Sequence, residues 1–150
     1  MSPVRQRQHN DCVRAAIASI LERDYDDVPN FAQQAEDSGQ WWGSFIDLWL
    51  SREGYPFRHG NFAFNRSNPP VPAVFMESFW IGEPWWFATV TSKINEGLHA
   101  IVMHGNEVAW DPGIHSAEPE YRAKPYDFIF ANYFYVPDPQ LLWIRPGRRA

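Results

Sequence analysis

The apolar residues of this 150-residue chain change their spacing once. Over the first third they recur with helical period: Val13, Ala16, Ile17, Ile20 and Leu21, then Phe45, Ile46, Trp49 and Leu50. That spacing puts each set on one helix face. In the remainder, short runs rich in Val, Phe, Tyr, Trp and Ile take over, which suits pleated strands. Helices followed by strands predict an α+β domain, with N-terminal helices packed on an antiparallel β-sheet. The length fits one domain over residues 1–150.

The first helix is expected from Cys12 to Glu22, with Asn10 and Asp11 placed to cap its free amides. Pro29 disfavours helix at Val28, so residues 26–31 read as a turn. Further helices are expected over Phe31–Asp37 and Trp42–Glu53, with Gly54 as a stop. Residues 60–72, rich in Asn and Pro, read as a loop. Strands are expected over Ala73–Phe79, Trp86–Ile94, Leu98–His104, Glu107–Asp111 and Phe128–Val136. Gly105-Asn106 suits a hairpin turn, and Pro112-Gly113 ends the hairpin.

Composition removes several function classes. The formal net charge of −5 argues against a nucleic-acid partner, which needs clustered Lys and Arg. Arg145, Arg148 and Arg149 form a short basic tail interrupted by Pro146 and Gly147. One cysteine permits neither an internal disulfide nor a cysteine-only zinc site, and the remaining His and Cys lack paired metal spacing. No cofactor is implied. No apolar run is long enough to span a membrane, and the polar N-terminus has no apolar signal region. The expected compartment is the cytoplasm. Asn65-Arg66-Ser67 matches a glycosylation sequon with no other sign of secretion. Of the eight Trp, Trp41, Trp42, Trp80, Trp85 and Trp86 are candidates to wall a substrate cleft.

The single cysteine stands at the start of a helix, behind Asp11. A thiol hydrolase needs a thiolate, which a helix N-terminus and a neighbouring imidazolium both favour. It also needs a base. Of His9, His59, His99, His104 and His115, only His99 opens an apolar strand, where a side chain is held rigidly. A third group must orient that imidazole. With a turn at Gly105-Asn106, Leu98 and His99 lie roughly opposite Asp111 and Pro112, so His99 and Asp111 can meet at one end of the hairpin. The oxyanion needs donors: the Cys12 N–H is one, and Gln6 or Gln8 can supply another.

The run Gln6-Arg-Gln-His-Asn-Asp11-Cys12, followed by Val-Arg-Ala-Ala, resembles the Gln-x5-Cys element of papain-like cysteine peptidases. Within that superfamily it is most similar to the stand-alone relatives of bacteriocin-leader (double-glycine) peptidases. The segment from His99 to Asp111-Pro112 is similar to their His strand and Asp-Pro hairpin. The resemblance covers roughly residues 6–23 and 97–113. It implies a papain-like fold and selects Gln6 over Gln8. Val13 departs from the Gly that often follows the Cys, and no transporter is attached, so a Gly-Gly leader preference does not carry over. The chain also looks like small proteins of actinobacteria and their phages.

The expected function is therefore a cysteine peptidase or amidase acting on a peptide, amide or isopeptide bond. Cys12 is the nucleophile, His99 the base, Asp111 the orienting group and Gln6 an oxyanion donor. Transglutaminases and arylamine acetyltransferases use the same Cys-His-Asp order, so acyl transfer is an alternative. A non-catalytic phage-type binding or inhibitor protein that kept the fold is another. The partner implied is a peptide or protein substrate.

Overall fold

A computed structural model describes residues 1–56, 58–64 and 85–135. The expected strand over 73–79, the sequon, Trp80 and the basic tail lie outside the described residues. Three helices come first: α1 (Cys12–Leu21), α2 (Phe31–Ser38) and α3 (Trp42–Arg52), with a 3-10 turn at Tyr25–Asp27. The strands are β1 (Arg58–Ala63), β2 (Trp85–Thr91), β3 (Leu98–His104), β4 (Glu107–Trp110) and β5 (Phe128–Tyr135). A short helix, α4 (Pro119–Ala123), precedes β5. Among the described residues the strands form one antiparallel sheet in the order β1-β5-β2-β3-β4.

Helices α1 and α3 form where the apolar period placed them, and α2 forms where a short helix was expected. Ala15, Ala16, Ile17 and Ala18 of α1 are fully buried, so this helix is wrapped by the rest of the fold. α2 is capped by the Asn30 side chain, which accepts from Gln33 N, and ends at Gly39 with φ 73°. Neither Asn10 nor Asp11 caps α1, contrary to the expectation. Asn10 hydrogen-bonds Gln33 and Asn30, and Asp11 turns back onto the preceding loop.

The sheet has two apolar faces. Phe87, Ala100, Val102 and Phe134 pack with Ile17, Ile46 and Leu50 of the helices. Trp86, Ala88, Val90, Ile101, Met103 and Ala131 form a second cluster on the opposite face. Alternating side chains along β2 and β3 supply both clusters, as the two-residue strand period requires. Gly105 turns the β3–β4 hairpin at φ 58°, a conformation that favours glycine.

Three strand expectations change. Residues 60–63, expected as the start of a loop, belong to a strand, because β1 pairs along its whole length from Arg58↔Tyr135 to Ala63↔Phe130. Strand β2 stops at Thr91, where the Ser92 Oγ accepts from Ile94 N and Asn95 N and turns the chain. Strand β4 stops at Trp110, one residue before Asp111. No helix among the described residues is long and apolar enough to cross a membrane.

Candidate active site

The N-terminal arm is stitched to the body before it reaches α1. Val4 N donates to Ser19 Oγ at 2.9 Å, Trp110 Nε1 donates to Val4 O at 3.0 Å, and Gln6 N donates to Pro112 O at 2.9 Å. Arg5 Nη1 donates to Gly113 O and to Ser116 Oγ. Gln6 is thereby held beside the residues that follow β4.

Asp11 completes the loop. Its fully buried carboxylate accepts the backbone N–H groups of Arg7 and Gln8 at 3.1 Å and the hydroxyl of Tyr25. Arg7 and Arg14 lie over the Tyr25 ring at 4.0 and 3.9 Å. Burial, and then the bond to Asp11, raise the Tyr25 hydroxyl above its ordinary pKa. Cys12 follows at the first position of α1, where its N–H has no acceptor within the helix and no side chain caps the turn.

Gln6 and Gln8 part here. Gln6 is buried, and its Nε2 donates to Gln8 O at 2.7 Å, leaving a second Nε2 hydrogen free. Gln6 Oε1 is buried without a hydrogen-bond partner. The side chain of Gln6 lines a small cavity together with His99, whereas Gln8 is exposed.

His99 Nε2 lies 2.7 Å from Asp111 Oδ1; Asp111 is buried and His99 largely so. The register explains how they meet. His104↔Glu107 and Met103↔Val108 pair regularly, but Val102 faces Trp110, so Ala109 is an extra residue in a β-bulge. Without the bulge, Asp111 would fall opposite Ala100, on the wrong face for His99. The bulge moves it opposite Ile101, which shares a face with His99.

Asp111 is held by four donors. Oδ1 accepts from His99 and from Gly113 N at 2.8 Å; Oδ2 accepts the hydroxyls of Tyr121 at 2.8 Å and Tyr126 at 2.7 Å. A Cβ at Gly113 would stand 2.9 Å from Asp111 Oδ1 and 3.2 Å from His99 Nε2, so this close approach needs glycine. Tyr121 and Tyr126 were not singled out from the sequence. They follow Asp111 without a motif, and only α4 and the approach to β5 bring them back to it.

Cys12 and His99 line one cavity, and the Cys12 side chain acts on the His99 ring. With Nε2 on Asp111, the other ring nitrogen, Nδ1, is left for the sulfur. Burial opposes charging this imidazole, but the bond to Asp111 and the neighbouring Cys12 outweigh it and raise its pKa to about 9. Burial likewise opposes ionising Asp111, yet His99, Tyr126 and Gly113 N hold it down at about 2. Burial, followed by the bond to Asp111, raises both Tyr121 and Tyr126, so they remain protonated donors.

Two cavities meet at His99. One, of about 520 Å³, is lined by Cys12, His99, Trp41, Trp42 and Phe130 among others. The other, of about 150 Å³, is lined by Gln6, His99 and Tyr121 among others. Trp41 and Trp42 therefore wall the cleft. Trp86 is core, and Trp85 is half-buried and stacks on His104 with ring centroids 4.0 Å apart. His115 bonds Glu118 on the surface, and His59 is buried on β1. Among the described residues no three His, Cys, Asp or Glu side chains gather as a metal site.

No family model, curated protein or solved structure matches this chain.

Proposed function

We propose that this protein is a papain-like cysteine hydrolase that cleaves an amide, peptide or isopeptide bond. The observation that carries the reading is that Cys12, at the start of α1, shares a cavity with His99, whose ring is hydrogen-bonded to a fully satisfied Asp111. A nucleophile at a helix start, facing a base on an antiparallel sheet, is also the arrangement that a papain-like fold requires.

In the reaction, the Cys12 sulfur attacks the carbonyl carbon as a thiolate, and the carbonyl π electrons move to oxygen. The Cys12 N–H and the free Gln6 Nε2 hydrogen stabilise that oxyanion. The C–N bond breaks as His99 gives its proton to the leaving amine, and a thioester remains. Water then gives a proton to His99 and adds to the thioester, the C–S bond breaks, and the acid is released. Asp111 keeps the ring oriented and stabilises its charge.

The test is chemical. Purified protein is treated with iodoacetamide between about pH 5 and pH 9, beside a His99→Ala variant. The wild type should alkylate Cys12 about tenfold or more faster near neutrality. Equal rates, with labelling only at high pH, would remove the reading.

A further inference from the structure

The larger cavity has a polar floor beneath an aromatic wall. Thr89 and Asn61 line it, and both are tied to Asn132, a fully buried residue on β5. Asn132 Nδ2 donates to Thr89 Oγ1 at 2.8 Å. Asn132 Oδ1 accepts from Asn61 Nδ2 at 3.0 Å and stands 3.2 Å from His59 Nε2.

The direction of these bonds is decided by His59. Its Nδ1 is buried without a hydrogen-bond partner among the described residues. If Asn132 were turned over, Nε2 would accept and Nδ1 would carry a buried, unbonded N–H. The orientation above leaves only a bare lone pair there, the less costly of the two. Burial lowers the His59 pKa, so the ring is neutral near pH 7. The network is thus uncharged and one-directional. It leaves the Thr89 hydroxyl hydrogen without an acceptor among the described residues, and it leaves Asn61 Oδ1 free to accept.

Trp41, Trp42 and Phe130 supply an aromatic wall, and the other lining amides are already engaged, Asn10 with Gln33 and Asn30, and Asn95 Oδ1 with Gly97 N. Apart from Cys12 and two histidines, no described lining residue is ionisable. A volume of about 520 Å³ suffices for a large side chain. In the reaction the acyl group is bonded to sulfur, so the cavity that Cys12 lines holds the acyl side; the cavity lined by Gln6 but not Cys12 holds the leaving group.

Resting on the hydrolase reading above, we propose that this cavity selects a tyrosine side chain on the acyl side of the cleaved bond. The ring packs against Trp41 and Trp42. The phenol oxygen accepts from Thr89 and its proton is donated to Asn61 Oδ1, so one hydroxyl answers both open groups. A charged side chain meets no counter-charge on this floor, and a phenylalanine leaves both groups unpaired.

The experiment uses dipeptidyl acyloxymethyl ketones, in which the sulfur forms a thioether with the methylene and a carboxylate leaves. Tyr, Phe, Gln, Glu, Lys and Ala are placed in turn at each of the two residues before the ketone, and Cys12 labelling rates are read by intact mass. Tyr should exceed Phe by about tenfold at one position. That ratio should fall to about one in Thr89→Val and persist in Thr89→Ser, which keeps the hydroxyl. Fastest labelling by any other side chain, or a ratio unmoved by Thr89→Val, overturns the proposal while leaving the hydrolase intact. If no ketone labels the wild type faster than His99→Ala, the hydrolase reading itself falls, and this inference with it.

Discussion

Asp111 is the residue on which most of the site converges. It lies in the turn after β4, where an Asp-Pro-Gly sequence by itself marks only a turn. Four donors satisfy its carboxylate, and two of them are tyrosines that never titrate at working pH. Tyr126→Phe removes a donor to a charged acceptor and is expected to lower stability by about 1–2 kcal/mol in urea unfolding. The same change leaves more of the Asp111 charge to the imidazolium, so the His99 titration midpoint, read by NMR, should move upward from that of the wild type. A substitution that only loosened packing would leave that midpoint unmoved. The pH dependence of stability follows from the same pair. His99 is raised from 6.5 to about 9, so its contribution is complete below about 6.5 and lost as pH rises toward about 9. Asp111 is lowered from 3.8 to about 2, so its contribution is complete above about 3.8 and lost as pH falls toward about 2. Urea midpoints should therefore plateau between about pH 4 and 6.5 and fall on either side, with the alkaline fall absent in His99→Ala. Hydrolysis should decline as pH passes about 9, because the leaving amine then meets an unprotonated ring.

At the scale of elements, the β-bulge at Ala109 decides whether Asp111 can meet His99. Deleting Ala109 restores regular pairing and turns Asp111 to the face of Ala100. Far-ultraviolet circular dichroism should keep its sheet signal, while hydrolysis should fall by about 100-fold or more. Retained activity would mean that Asp111 does not orient His99. Although the expected cap of α1 is not formed, helices α1, α2 and α3 were legible in the sequence to within a residue at their ends, because the apolar period of α1 and α3 and the Gly54 stop are local. The bulge was not, because a two-residue count across a hairpin carries no mark for one extra residue. Strand β1 was not either. Its sequence, Arg-His-Gly-Asn-Phe-Ala, lacks β-branched residues, and pairing with β5 overrides that local bias. Cys12, His99 and Asp111 stood out as candidates from order and spacing, and Gln6 only through the resemblance. Tyr121, Tyr126, His59 and Asn132 depend on tertiary approach and leave no local trace.

On the scale of the whole molecule, the site is an interface within the chain. The helical third supplies Cys12 and Gln6, and the sheet side supplies His99 and Asp111, so the groups of the proposed reaction meet only when α1 docks on β3. Ile17 is fully buried in that junction with Phe87, Ala100 and Val102. Ile17→Ala should cost about 2–5 kcal/mol in urea unfolding. Its pH-dependent iodoacetamide labelling should lose the His99-dependent component at urea concentrations where the wild type retains it. The N-terminal arm ties the two parts again through Trp110 to Val4 and Gln6 to Pro112.

The most direct measurement is capture of the acyl-enzyme. The protein is mixed with a p-nitrophenyl ester, quenched rapidly and analysed by intact mass and peptide mapping. A single acyl group should appear on Cys12, then disappear as product forms, and His99→Ala should acylate more slowly by about 100-fold or more. Acylation scattered over lysines, or equally rapid acylation of Cys12 in His99→Ala, would contradict the assignment of Cys12 and His99 as nucleophile and base.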